Sequence, residues 1–281
     1  MMFSKQLKLA AVALALGAAG AHAATVGLPV TIEEKLGGTN ATSKIIVADQ
    51  LSGQYDEVVT FHSATQFSTA AIFNASKWFY NGGVVTSRLS SDLSEFGVDW
   101  GYNIYAKFIG SGTYFTDGTN TSFSATYNKI ELWMDRDQNT TYSIVGQTAS
   151  AVPSFNDIVL TSAATTTNDD LLLGTASLTL AADGNSTGSG LANGNFEILF
   201  GDFKLEAPNG EAYFIAPRPF HIKLDLNGNF QSFIPSAGAS VYLLNNSANA
   251  FFVPVPEPGA LALVGAAFLA VGVASKRRKS A

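Results

Sequence analysis

The sequence predicts a single all-β domain, an antiparallel β-sandwich or jelly-roll-like fold, and three observations support this prediction. Apolar and polar residues alternate with a period of two in several segments, which is typical of strands with one buried face. Asn-Gly and Asp-Gly pairs, which suit tight turns with positive φ, occur between the segments. The 281 residues include 26 Gly, which favour turns, and 20 Phe, which can fill a hydrophobic core. The sequence contains no Cys, so the core must be stable without disulfides.

The clearest alternation runs from Trp100 to Phe108 and from Phe220 to Leu226. Pro217 and Pro219 remove two ladder donors and so mark an edge strand or a bulge. Further predicted strands are Lys44 to Asp49, Gln54 to Phe61, Ala71 to Tyr80, Tyr127 to Met134, Leu171 to Leu180, Asn195 to Leu205 and Ser240 to Leu244. Predicted turns begin at Asn81, Asp117, Asp183, Asn193, Asn209 and Asn227, each followed by Gly.

The first 23 residues are predicted to form a signal helix that is cleaved on export. Lys5 and Lys8 supply the positive charge, Leu9 to Gly20 is apolar, and Ala21-His22-Ala23 has the small residues of a cleavage site. The apolar stretch is shorter than the roughly 20 residues of a membrane-spanning helix. We therefore expect the mature protein to begin near Ala24.

The C-terminal residues combine three features in a fixed order. A Val-Pro-Glu-Pro tetrapeptide ends at Pro258, an apolar run from Ala260 to Ala274 predicts a hydrophobic helix, and a basic cluster follows. This order resembles the PEP-CTERM sorting signal, which implies transient anchoring in the inner membrane and processing by an exosortase. An ordinary tail anchor is the alternative. The predicted signal residues are Val255, Pro256, Glu257, Pro258, Lys276, Arg277, Arg278 and Lys279.

These features divide the chain into a signal peptide (1–23), an all-β extracellular domain (24–253) and a sorting segment (254–281). The segment Thr161 to Asp170 is predicted to be a surface loop, with a hinge between two half-domains as the alternative. Between residues 24 and 253, 10 Lys and Arg oppose 21 Asp and Glu, a net charge of −11. Such a surface repels phosphate backbones, so nucleic-acid binding is not expected.

Segments across the domain are similar to the flocculation-associated PEP-CTERM proteins. They are Gly53 to Phe61, Ile130 to Gln138, Tyr213 to Phe220 and Asp225 to Gly228. The resemblance implies a cell-surface or matrix protein that promotes flocculation together with exopolysaccharide or neighbouring surface proteins. That family has no established catalytic residues to transfer, so neither catalysis nor a cofactor is expected.

Two patterns point to other chemistry. Residues 184–188 match the G-x-S-x-G nucleophile elbow, so Ser186 and His221, with Asp202 or Glu211, are the candidates for a polysaccharide hydrolase. The elbow requires a following helix, however, and the next residues are typical of a loop. Asp135 and Asp137 begin a D-x-D-x-N turn that offers oxygen ligands to Ca²⁺, or else forms Asx-type hydrogen bonds within a hairpin loop.

Aromatic residues favour the main alternative function, a secreted polysaccharide-binding module. Trp78, Trp100 and Trp133 are candidates for stacking on sugars. Trp100 is in phase with its apolar face, whereas Trp133 is out of phase with its neighbours and is the better exposed platform. Arg218 is a candidate to contact an acidic sugar or another protomer, or to pair with a nearby carboxylate.

Overall fold

The computed structural model describes residues 27–34, 43–89, 101–117, 121–136, 138–144, 153–162, 170–177, 179–187, 193–228 and 236–255. The predicted signal peptide, Trp100, Asp137 and the sorting residues from Pro256 onward lie outside these ranges. None of the helices formed by the described residues has both the length and the apolar character needed to cross a bilayer.

The described residues form sixteen strands and one short α-helix, α1 (Asn209–Tyr213). In chain order the strands are β1 (Val30–Glu33), β2 (Ile45–Ala48), β3 (Gln50–Phe61), β4 (Gln66–Tyr80), β5 (Gly83–Val85), β6 (Asn103–Thr116), β7 (Thr121–Asp135), β8 (Thr140–Ile144), β9 (Ile158–Ser162), β10 (Leu171–Ala176), β11 (Thr179–Thr187), β12 (Asn193–Phe200), β13 (Lys204–Leu205), β14 (Phe214–Ala216), β15 (Phe220–Gly228) and β16 (Ser240–Pro254).

Most strands belong to one large antiparallel sheet, in the order β11-β12-β15-β16-β3-β4-β6-β7-β10-β13, with β5 paired to β4. Residues 183–186 of β11 also pair with residues 121–124 of β7. Because β11 and β7 lie far apart in the strand order, this pairing makes the sheet curl back on itself. The predicted all-β antiparallel class is confirmed, and the two layers that face each other across the core belong to one curled sheet.

The core fills the inside of the large sheet. Side chains alternate along each strand, so every second residue points inward, as Tyr55, Val59 and Phe61 do on β3. The inward residues of the other strands are mostly apolar and include Leu132 and Leu224. They leave a cavity of about 30 Å³ with apolar walls. The inside of the sheet is thus a packed core.

A small sheet in the order β14-β1-β2, here called the cap, covers one end of the core. The buried side chains of the cap are Val30, Ile32, Ile46, Ala48 and Phe214. Phe214 lies 5.7 Å from Phe252 between ring centroids, and Phe252 also stacks on Trp78 at 6.0 Å. Aromatic contacts therefore join the cap to the large sheet.

A second cluster lies on the outer face of the large sheet, beneath the hairpin of β8 and β9. Val58, Ile72 and Tyr105 on the sheet pack there with Ile158 of β9. Parts of β3, β4 and β6 are consequently buried on both faces, which explains the continuous buried runs in their sequences.

Some sequence predictions fail in their details. The Asn81-Gly82 turn is confirmed, with φ of 50° and 76°. The turns predicted at Asp183, Asn193, Asn209 and Asn227 are wrong, because these residues lie within strands or in α1. Leu171 to Leu180 and Asn195 to Leu205 each divide into two strands. Residues 217–219 form neither an edge strand nor a bulge but connect β14 to β15.

Candidate functional sites

The predicted sorting signal begins where the last strand ends. β16 pairs with β15 on one side and with β3 on the other, and it ends at Pro254. The backbone N–H of Leu28 donates to the carbonyl oxygen of Phe252 at 2.6 Å. The chain therefore enters and leaves the described domain at one end, which we call the tail end. Val255 is half-buried there, and the sorting segment continues from a central strand.

The opposite end of the large sheet, called the loop end, carries the connections after Phe61, Thr116, Thr187 and Gly228. The strand registers fix this division. Ser240 at the start of β16 pairs with Thr60, and Phe251 near its end pairs with Gln50. The tail is attached at Pro254, at the tail end of the domain. The loop end therefore faces away from the point of attachment.

The catalytic candidates lie at different ends of the sheet. Ser186 pairs with Gly194, which pairs with Gly228 at the end of β15. His221 pairs with Val253, near the start of β15. The seven residue steps from 221 to 228 correspond to about 23 Å at the usual rise of a strand. Ser186 and His221 therefore do not form the hydrogen-bonded pair of a nucleophile and its base.

The local backbone also differs from a nucleophile elbow. Residues 184–187 form the end of β11 and pair with β12, so Ser186 is not on a sharp turn between a strand and a helix. Among the other proposed partners, Glu211 is exposed on α1, and Asp202 accepts from the backbone N–H of Ser177 at 2.9 Å. The four candidates do not converge on one site.

His221 is more buried than the alternating pattern predicts. Its side chain is 7% exposed, and its Nδ1 has no hydrogen-bond partner among the described residues. Burial lowers the pKa of His221, and the nearby carboxylate of Asp202 opposes that shift only in part. The imidazole is therefore neutral at pH 7. A second described histidine, His62, shares a hydrogen bond of 2.6 Å between its Nε2 and Ser68 Oγ.

The proposed calcium loop follows β7. Asp135 is 1% exposed, and its carboxylate accepts from the backbone N–H groups of Asn139 at 3.3 Å and Thr140 at 3.0 Å. These are the hydrogen bonds of the alternative, a loop closed by an aspartate side chain. Within the described ranges, no three His, Asp or Glu side chains are grouped so that they could hold a metal ion.

The predicted aromatic platform is partly covered. Trp133 lies on the outer face of the sheet, as its phase predicts, but its ring stacks on Tyr105 with centroids 6.3 Å apart. The ammonium of Lys107 lies 4.8 Å from the Trp133 ring centroid, and the indole N–H donates to Glu131 at 3.1 Å. Trp78 is fully buried in the core. Neither tryptophan offers both ring faces to a ligand.

A groove missed by the sequence analysis lies beside Trp133. It has a volume of about 340 Å³ and runs between β7 and the segments around β10 and β13. Phe155, Lys129 and Glu131 line one side, and Asp202 and Lys204 lie on the other. The residues that form this groove are of common types and come from four separate segments, so no local sequence motif predicts it.

Among the described residues, Arg218 does not form the predicted ion pair with a nearby carboxylate. Its side chain is exposed, and its Nε donates to the carbonyl oxygen of Ile215 at 3.0 Å. The guanidinium therefore holds the connection between β14 and β15.

Glu57 is a buried acid inside the large sheet. It is 8% exposed, lies on the same face of β3 as Tyr55 and Val59, and accepts a hydrogen bond from the Thr69 hydroxyl. Burial raises the pKa of Glu57 to about 7, although the hydrogen bond from Thr69 lowers it. Between pH 4.5 and about 7, the Glu57 carboxyl group is therefore protonated in the folded protein but already ionised in the unfolded chain.

This titration predicts a pH-dependent effect of Glu57→Gln. The free energy of unfolding of the wild type falls as the pH rises from 4.5 to about 7, because the buried Glu57 side chain must then become charged. At pH 8 we expect the variant to have a free energy of unfolding about 1–3 kcal/mol above that of the wild type, and at pH 4.5 we expect no gain. Urea titrations at both pH values measure the difference, with Glu211→Gln on an exposed side chain as the control. An equal loss of stability at both pH values would contradict this account.

Comparison with known proteins agrees with the position of the tail. Residues 254–279 match the PEP-CTERM protein-sorting motif. No curated protein and no solved structure matches the chain. The matched segment starts at Pro254, the last residue of β16. This motif indicates export, sorting in a membrane-anchored form and processing by an exosortase. Residues 254–279 are therefore a PEP-CTERM sorting signal, which indicates an exported protein that is targeted to an exosortase.

Proposed function

We propose that this protein is a non-catalytic component of the cell surface or extracellular matrix that promotes bacterial flocculation together with exopolysaccharide. The observation that carries the proposal is the sorting motif at residues 254–279, which continues directly from a central strand of a folded domain. Such a junction presents a complete domain outside the cell. The proposed role in flocculation rests on the similarity of four segments of that domain to the flocculation-associated PEP-CTERM proteins.

Those segments form connected parts of the fold. Gly53 to Phe61 lies in β3, and Asp225 to Gly228 ends β15. Ile130 to Gln138 spans the end of β7 and the loop after it, and Tyr213 to Phe220 runs from α1 through β14. They contribute to the large sheet and the cap, so the resemblance follows the scaffold of the whole domain.

The outer face of the sheet supports contact with a hydrated polymer. The amide nitrogen of Gln50 and the hydroxyl of Ser52 both donate to Asn249 Oδ1, at 2.8 Å and 2.5 Å. Lys223 forms an ion pair with Glu197 at 2.8 Å on the same face. Amide, hydroxyl and charged groups in a row across neighbouring strands can exchange hydrogen bonds with the hydroxyl groups of a polysaccharide.

Floc formation by a strain that lacks the gene tests the proposal. We expect the deletion to reduce flocculation several-fold and the wild-type gene to restore it. Ser186→Ala should restore flocculation equally well, because the proposed role needs no nucleophile. Unchanged flocculation after the deletion would refute the role, and failure of Ser186→Ala at normal protein levels would refute its non-catalytic nature.

A polysaccharide-binding module is the second candidate, and the groove beside Trp133 favours it. The Phe155 ring, together with charged and hydroxyl side chains, forms the mixed apolar and polar lining that is typical of ligand sites. Titrating the purified chain with purified exopolysaccharide separates the two functions. A module requires saturable binding that Phe155→Ala weakens, whereas the matrix role does not depend on this groove.

A further inference from the structure

The geometry of the tail fixes which end of the domain lies near the membrane during sorting. The apolar run begins at Ala260, five residue steps after Val255. Five residues reach at most about 18 Å when fully extended. The tail end is thus held within about 18 Å of the apolar segment for as long as residues 256–281 remain attached.

Several exposed apolar side chains lie at this end. Of the eight large apolar side chains that are exposed among the described residues, four lie on the cap or on the neighbouring hairpin of β4 and β5. They are Ile45 (62% exposed) and Val47 (39%), which share the outer face of β2, and Tyr80 (41%) and Val84 (54%), which project from opposite sides of the β4–β5 hairpin. β2 contacts both β4 and β5, and the carboxylate of Asp49, directly after β2, accepts from the N–H of Asn81 at 2.8 Å.

The sequence of β2 is unusual for a strand covered on only one side. Such strands normally carry polar residues on their solvent face. β2 reads Ile-Ile-Val-Ala, with Ile46 and Ala48 buried in the core and Ile45 and Val47 facing outward. Packing of the core explains why Ile46 and Ala48 are apolar, but it does not explain why Ile45 and Val47 are apolar. Grouped apolar residues on an outer face indicate an interaction surface.

A buried polar network holds this surface rigidly. Glu34, directly after β1, is fully buried and accepts hydrogen bonds from the Tyr102 hydroxyl at 2.7 Å and the backbone N–H of Arg88 at 3.0 Å. The Tyr102 hydroxyl also shares a hydrogen bond with that of Tyr213 at 2.7 Å. The cap is thus tied to the residue before β6, to the segment after β5 and to α1, so its outer face keeps a fixed orientation.

We propose that the outer face of β2, with Ile45 and Val47, and the adjacent β4–β5 hairpin, with Tyr80 and Val84, form a membrane-contact face that rests on the lipid bilayer while the C-terminal segment is attached. The inference rests on the anchored stage of the proposed function and adds the surface of the folded domain that touches lipid. The bilayer is the partner because the tail brings this end to it. Tyrosine with neighbouring aliphatic side chains suits the boundary between head groups and acyl chains.

The absence of cysteine from the sequence allows a direct test with single labels. Val84→Cys places a fluorophore on the contact face, and Phe115→Cys places the matched control on a side chain at the loop end that is 68% exposed. Each full chain is reconstituted into vesicles of phosphatidylethanolamine and phosphatidylglycerol that contain a lipid-borne quencher. We expect quenching at position 84 to be several-fold stronger than at position 115. Ile45→Thr with Val47→Thr, which keeps the β-branched shape, should at least halve that difference.

Flotation of the vesicles separates this inference from the anchoring on which it rests. A chain that floats with the vesicles but is quenched equally at both positions overturns the contact face and leaves anchoring intact. A chain that does not float overturns both. Energy transfer between labelled copies that rises with protein density would instead assign the face to a second copy and would also overturn the bilayer contact.

Discussion

Replacement of Phe252 by alanine is expected to lower the free energy of unfolding by about 3–5 kcal/mol, the usual cost of deleting a buried aromatic ring. The side chain is 2% exposed and lies at the centre of the aromatic cluster under the cap. Its ring centroid is 5.2 Å from that of Phe220, 5.7 Å from Phe214 and 6.0 Å from Trp78. The cavity would separate the cap from the large sheet, because these rings belong to both.

Urea unfolding of the purified protein measures this loss, and Phe115→Ala supplies the matched control. Phe115 is also a strand phenylalanine, but it is 68% exposed, so its removal should change stability by less than about 0.5 kcal/mol. Similar small effects for both variants would show that the cap does not pack on Phe252.

The alternating pattern predicted strands well where each strand has one buried face. β15 alternates Phe220, Ile222, Leu224 and Leu226 on the inner side with polar residues outside, and both its identity and its inner face follow from period two. The alternation at residues 104, 106 and 108 likewise matches the inner face of β6. These predictions succeed because a strand with one buried face shows alternating apolar and polar residues along its own sequence.

The Asn-Gly signal failed where glycine serves another purpose. At Asn209-Gly210 the chain begins α1, and a Cβ on Gly210 would collide with the carbonyl oxygen of Leu173. Glycine is needed here for close backbone approach and not for a left-handed turn. A dipeptide cannot distinguish the two uses, because the approaching segment lies far away in the sequence.

The features that position the candidate sites are non-local, so the sequence did not reveal them. The pairing of residues 183–186 with residues 121–124 curls the large sheet, and it joins segments about sixty residues apart. That closure places Glu57 in an apolar interior. Trp133 was assigned correctly to the outer face, but its cover comes from Tyr105 and Lys107 on the neighbouring strand.

Deletion of residues 256–281 is expected to move the protein from the cell envelope to the culture medium. β16 ends at Pro254 and keeps its pairing with β15 and β3, so the truncated domain should fold as before. The truncated chain lacks the apolar run and the basic cluster, which we expect to stop translocation and to engage the exosortase. Immunoblots of cell and medium fractions compare the amounts of the truncated and full-length chains.

A second truncation, from Ser240 onward, is the matched control. It removes β16 and leaves β15 and β3 without a shared partner, so it should yield no stable protein in either fraction. Retention of the chain that lacks residues 256–281 at the wild-type level on cells would contradict the role of the tail as the anchor.

The central claim is that this chain works outside the cytoplasm after its ends have directed it there. Intact-mass measurement of the wild-type protein in cytosolic, envelope and extracellular fractions tests that claim most directly. The account predicts a chain that begins near Ala24 and is found in the envelope and outside the cell. Soluble cytosolic protein that retains residues 1–23 as its predominant form would contradict it.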